Sequence, residues 1–135
     1  MFSSNAPFIC YAFHSVQGYS KFGTYTGNGS SDGPFIYTGF KPAYVVTKTI
    51  DTTDNHWSIK DHKRDPHNER GTALYANLGN GDDTGGGNIA LDFLSNGFKC
   101  RKTDSQINEN GTAYIYLAFA ESPFVSSTGV PTVAE

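Results

Sequence analysis

Apolar residues fall in short runs broken by clusters of glycine, asparagine, aspartate and serine, and no twelve successive residues carry a helical period. Ile89, Leu91 and Phe93 alternate with Ala90 and Asp92, the pattern of a strand with one buried face. Thr112 to Ala120 is apolar on both sides, with Tyr114, Tyr116 and Ala118 on one and Ile115, Leu117 and Phe119 on the other. That pattern predicts a central strand covered on both faces. In His56 to Asp61, Trp57, Ile59 and Asp61 share a side. The two apolar members predict that this side meets the core, so Asp61 turns inward and needs a partner, with Arg64 or Lys63 nearest.

Further strand-like runs are Phe8 to His14, Lys21 to Thr26, Pro34 to Thr38, Ala43 to Thr49, Ala73 to Ala76 and Phe98 to Lys102. Turn formers separate them: Gly27 to Gly33, Asp51 to Asn55, the polar stretch Lys63 to Gly71, and the glycine-rich Gly79 to Asn88. Asn96-Gly97 predicts a hairpin tip of type I′, which needs positive φ at both central residues. Eight or nine short strands at this spacing predict an all-β fold, an antiparallel β-sandwich or jelly-roll-like single domain with extended termini. Residues 1–135 form one domain in this reading, with a core of about 8–124 and 125–135 as a tail or an anchoring arm.

Composition supports that class. Tyrosine and phenylalanine (8 and 10 residues) favour strands, and 15 glycines supply turns. A net charge of −3 with both signs interspersed leaves no electrostatic footprint for nucleic acid, and nothing predicts adhesion to a membrane. The N-terminus shows no basic region followed by an apolar stretch, so the expectation is synthesis in the cytoplasm and two free thiols on strands at Cys10 and Cys100.

Candidate chemistry is sparse. His56, His62 and His67 lie near Asp54, Asp61 and Asp65, but their spacing fits no common zinc site. Asp82-Asp83 lacks the EF-hand pattern, and Gly85-Gly86-Gly87 precedes no phosphate-binding lysine. No nucleophile elbow is present. The expectation is therefore no enzyme, no cofactor, no metal and no catalytic residue. Among the aromatics, most of Phe13, Phe22, Phe35, Phe93, Phe98 and Phe119 are expected in the core. Tyr19, Tyr25, Tyr37 and Tyr75 are expected at the surface as contacts for a partner subunit or a sugar.

One internal echo stands out. Phe8-Ile9-Cys10-Tyr11-Ala12-Phe13-His14-Ser15 matches Tyr114-Ile115-Tyr116-Leu117-Ala118-Phe119-Ala120-Glu121 in its order of aromatic, Ile, apolar, Ala and Phe positions. It reads either as coincidence between two aromatic strands or as a copy of a domain-closing strand.

Several longer segments occur in order: Gly18-Tyr19-Ser20-Lys21-Phe22-Gly23, Tyr25-Thr26-Gly27-Asn28-Gly29, Tyr37-Thr38-Gly39-Phe40-Lys41-Pro42-Ala43, Trp57 to Arg64, Asp92 to Lys99 and Thr112 to Glu121. This ordered set resembles a domain of unknown function common in structural and fibre-like proteins of marine and cyanobacterial tailed bacteriophages, where it often follows a concanavalin-like lectin domain. The resemblance spans about residues 8–124. It implies a β-rich component of a virus particle and supplies no catalytic residues. A free-standing domain suits a capsid decoration protein or a small fibre cap.

The function expected is that of a virion structural protein attached to capsid or tail subunits, as a homo-oligomer with three-fold arrangement favoured. Residues 1–15 and 123–135 would contribute to attachment. The alternative is a lectin-like module that recognises a host glycan.

Overall fold

The computed structural model describes residues 7, 9–51, 55–84 and 87–122, and the backbone alone at 124–125 and 131–132. Its strands are β1 (Ser20–Thr26), β2 (Phe35–Tyr37), β3 (Pro42–Thr49), β4 (Ser58–Asp61), β5 (Leu74–Tyr75), β6 (Leu91–Leu94), β7 (Gly97–Cys100), β8 (Ala113–Ala120), β9 (Phe124–Val125) and β10 (Pro131–Thr132). No helix occurs among the described residues. A five-stranded sheet, β1-β8-β3-β4-β5, faces a three-stranded sheet, β2-β7-β6, and every pairing is antiparallel. The fold is thus the antiparallel, sandwich-like single domain that the turn spacing predicts.

The core lies between these sheets. Tyr25, Val45, Tyr114, Tyr116 and Ala118 from the large sheet meet Ile36, Leu91, Phe93, Phe98 and Cys100 from the small one. Tyr25 stacks on Tyr114 with ring centroids 4.9 Å apart, and Phe98 meets Tyr116 edge-on at 5.4 Å. The tyrosines tolerate burial because their hydroxyls find acceptors at the core margin: Tyr25 Oη donates to the Ile107 carbonyl at 2.8 Å and Tyr114 Oη to the Ser105 carbonyl at 2.7 Å.

Several expectations fail, each for a reason visible in the packing. Residues 9–15 form no strand, and Phe8 lies outside the described residues. Cys10 is therefore a free, exposed thiol off any strand, whereas Cys100 is free and buried on β7. The β6–β7 hairpin pairs Leu94 with Gly97, so its two-residue tip is Ser95-Asn96. No described non-glycine residue has positive φ, and Gly97 has none either, so the turn is not type I′. Gly97 serves a different need: a Cβ there would run into the Ile36 carbonyl of the paired strand.

In the region read as a tail or an anchoring arm, β9 and β10 pair with each other. Residues 126–130 and 133–135 lie outside the described set, as do 1–6 and the Asp54 of the histidine-rich segment.

Candidate functional site

Strand alternation sets what each face of the large sheet displays. Strand β8 buries Tyr114, Tyr116 and Ala118 against the small sheet and turns Ile115, Leu117 and Phe119 to the opposite, outer face. Its neighbours follow by register. Phe22, Leu117, Val46, Ile59 and Leu74 stand in one row across all five strands. The core-side row beside it reads Gly23, Tyr116, Thr47, Ser58 and Tyr75.

On β4 this reverses the expectation. Trp57, Ile59 and Asp61 face outward, while Ser58 and Lys60 are buried on the core side. Asp61 is half-buried, and its partner is Arg64 as anticipated: Arg64 Nη2 lies 3.1 Å from Asp61 Oδ2, and the Arg64 and Lys63 N–H groups donate to Oδ1. Lys60 places its ammonium on the Gly71 carbonyl at 2.8 Å, and burial pushes its pKa down to about 8. The hydroxyls of Thr47 and Ser58 are buried without a hydrogen-bond partner. A strand that sends polar residues inward and Trp57 and Ile59 outward is not arranged for a solvent-facing outer surface.

The outer face is open over β1 and β8, while Val46 and Ile59 on it are buried. Strand β8 is internal to its sheet, but no second layer of described strands covers its outer side, so Ile115, Leu117 and Phe119 are only half-buried. A groove of about 950 Å³ runs over this face, lined by Tyr11, Phe13, Phe22, Trp57, Ile115 and Leu117 among others. Phe13 reaches back to stack on Phe22 at 5.1 Å, and Phe22 meets Phe119 edge-on at 5.7 Å.

The aromatic assignments change with the fold. Tyr25 and Tyr75, expected as surface contacts, are core residues exposed by 9% and 8%. Tyr75 Oη donates to Asp83 Oδ2 at 3.0 Å, and burial raises its pKa. Tyr19 and Tyr37 are exposed, at 45% and 65%. Phe93 and Phe98 are in the core as expected, whereas Phe13 and Phe35 are exposed and Phe22 and Phe119 belong to the outer face. Both residue types carry the same apolar ring, so alternation alone does not say which side of a sheet receives the second layer. The residues that line the groove were legible as apolar, but not as a shared surface.

The polar candidates do not converge. His56 packs on Tyr75, His62 Nδ1 approaches the Ala43 carbonyl at 3.2 Å, and His67 is exposed. Asp82 pairs with Arg64 Nη1 at 2.6 Å while its neighbour Asp83 accepts from Tyr75. Among the described residues, no three His, Cys, Asp or Glu side chains are grouped to hold a metal. No described helix is long and apolar enough to cross a membrane.

A second depression of about 310 Å³ lies at the start of β1, where Gln17, Gly18 and Lys21 face Tyr37, Thr38 and Gly39. It combines an exposed aromatic ring with amide and ammonium groups.

No curated protein and no solved structure matches the chain. A family model described as a domain of unknown function, DUF7483, matches residues 2–123, and the chain belongs to that family.

Proposed function

We propose, with membership of that family as the premise, that the chain is a non-catalytic assembly module of a virus particle, seated on a neighbouring particle protein by the outer face of its large sheet. The observation that carries this reading is the inversion on β4, which buries Ser58 and Lys60 and turns Trp57 and Ile59 outward beside Val46 and Leu117. Val46 and Ile59 are themselves buried, and the apolar surface left uncovered on this face belongs to Trp57, Phe22, Ile115 and Leu117. Contiguous surface of this kind marks an interaction site, since each square ångström covered contributes roughly 25 cal/mol. The resemblance of the ordered segments to bacteriophage structural proteins supplies the particle as context.

The test is decoration of purified virions that lack this protein. Replacing Leu117 or Ile115 by Asp puts a carboxylate on the half-buried outer face without entering the core. The expected result is a folded domain, by circular dichroism and melting, that no longer decorates the particle. Full occupancy by either variant overturns the reading.

A second reading has its own observation. Tyr37, exposed beside Gln17 and Lys21, offers an aromatic platform with hydrogen-bonding groups, which suits a sugar ring. Glycan-array binding that Tyr37→Ala abolishes and Leu117→Asp leaves intact favours the lectin-like alternative.

A further inference from the structure

Strand β1 is an edge of the large sheet, and no described strand lies beyond it. Its ladder with β8 is bracketed by Ala120 N–H on the Tyr19 carbonyl and Gly27 N–H on the Thr112 carbonyl. The odd positions therefore bond to β8, and the even positions turn their backbone groups to the free edge. Two of these are taken within the chain: Ser20 N–H donates to the Val16 carbonyl at 2.9 Å, and Phe22 N–H to Ser15 Oγ at 3.1 Å. Beyond Phe22 the edge continues through Thr24 and Thr26.

Val16 and Ser20 start a hairpin around Gln17-Gly18-Tyr19, with Gly18 at φ +72°. Continued regularly, that hairpin would set His14 opposite Phe22, Ala12 opposite Thr24 and Cys10 opposite Thr26. Residues directly opposite share a face, so Ile9, Tyr11 and Phe13 would fall on the core side, beside a core that is already filled. The chain does not pair this way. The Ser15 hydroxyl takes the Phe22 N–H, and Ile9, Tyr11 and Phe13 remain exposed by 79%, 77% and 58%. The tether through the tight turn imposes the wrong parity on this segment.

The segment nevertheless repeats β8, and in that alignment Ile9, Tyr11 and Phe13 occupy the places of Ile115, Leu117 and Phe119, the outer-face residues of β8. We infer that residues 9–13 of one copy of this chain pair antiparallel with the free edge of β1 in a second copy, with Tyr11 opposite Phe22 and Ile9 opposite Thr24. A segment that arrives from another copy is not bound by the turn, so it can take the register one residue away. That register lengthens the apolar row of Phe22, Leu117, Val46, Ile59 and Leu74 by one ring, supplies main-chain hydrogen bonds to the open edge at Thr24, and exchanges the Ser15 hydroxyl on Phe22 N–H for a main-chain carbonyl. Reciprocal exchange about Ser15 and Val16 makes a closed pair. The inference rests on the assembly reading above and names one of its partners.

Cross-linking tests it in the full chain. Ile9→Cys and Thr24→Cys are each made with Cys10→Ser, which removes the exposed native thiol and leaves only the buried Cys100. Opposed Cα atoms in such a pair lie within the range a disulfide spans. Mixed and mildly oxidised, the two variants are expected to join as a covalent dimer that a reductant releases. Ile9→Cys mixed with Lys21→Cys, whose position has the other parity, is expected to join far less. The unmodified chain is expected to sediment as a dimer, and Tyr11→Asp as a monomer. A monomeric natural chain, or equal joining at Thr24 and Lys21, overturns the inference. A chain that stays monomeric yet decorates virions leaves the assembly reading standing without a second copy as partner, and a dimer that never decorates removes that reading instead.

Discussion

Phe13 lies flat on Phe22, with ring centroids 5.1 Å apart and planes 24° from parallel. This contact lays the segment before β1 against the outer face of the sheet that β1 borders. Phe13 is mostly exposed, so the pair is worth only ~0.5–1.5 kcal/mol. Phe13→Ala is expected to lower stability in urea melts by no more than this, with the strand signal in circular dichroism unchanged. A loss above ~3 kcal/mol would place the segment among the structural elements of the domain.

Gly97 answers to packing rather than to turn geometry. Since a Cβ at this position meets the Ile36 carbonyl, Gly97→Ala must push β2 away from β7. The expected cost is ~1–3 kcal/mol. Asn96→Ala, at the exposed tip, is expected to stay within ~0.5 kcal/mol. Equal effects at the two positions would show that the turn, not the close approach, sets the requirement.

The two sides of β8 are predicted to respond differently to truncation. Phe98 is fully buried against the core side of that strand, and Phe98→Ala is expected to cost ~3–5 kcal/mol. Phe119, half-buried on the outer side, is expected to cost clearly less when replaced by Ala. Denaturant melts of the two variants decide the order, and the reverse order would mean that the outer face is covered.

Tyr114→Phe isolates a hydrogen bond. The hydroxyl donates to the Ser105 carbonyl at 2.7 Å and accepts from Glu109 N–H at 2.9 Å, and Tyr114 itself has no exposed surface. Its loss leaves both backbone groups without that partner, at an expected cost of ~1–3 kcal/mol. A neutral substitution would show that water replaces the hydroxyl.

Stability is predicted to vary with alkaline pH. The Lys60 amine, ordinarily near 10.5, titrates at about 8 in the folded chain because burial disfavours its charge. From pH 8 upward the folded chain holds fewer protons on Lys60 than the unfolded chain does, so stability rises with pH. The buried Cys100 thiol is pushed from 9.0 up to about 12. From pH 9 upward the folded chain keeps a proton that the unfolded chain has lost, which lowers stability and opposes the lysine. Burial also raises Tyr25, Tyr44, Tyr114 and Tyr116 above 10.0, so a further fall follows beyond that pH. Melting temperature is expected to climb from pH 8 to 9 and to decline above 10. Lys60→Met should remove the climb, and a climb that persists in that variant would rule out Lys60 as its source.

The order of strands and turns was legible in the sequence because period-two alternation and turn residues are local properties. Leu91 to Leu94 and Ala113 to Ala120 follow from near neighbours alone, whereas the hairpin tip lies at Ser95-Asn96 rather than at Asn96-Gly97. The sides of β8 were legible as two apolar faces, and Ser58 and Lys60 as the polar partners of Trp57 and Ile59. Which face meets the second sheet was decided only when β2, β6 and β7 packed against Tyr114, Tyr116 and Ala118. Alternation is symmetric between the two sides of a strand, and a buried hydroxyl or ammonium at the core margin is tolerated when a carbonyl lies within reach, as Ile107, Ser105 and Gly71 do for Tyr25, Tyr114 and Lys60. The same limit applies to residues 9–13, whose pattern is that of a strand. Their pairing depends on parity relative to β1, which strand alternation does not report, and the Val16–Ser20 turn denies them that parity within their own chain.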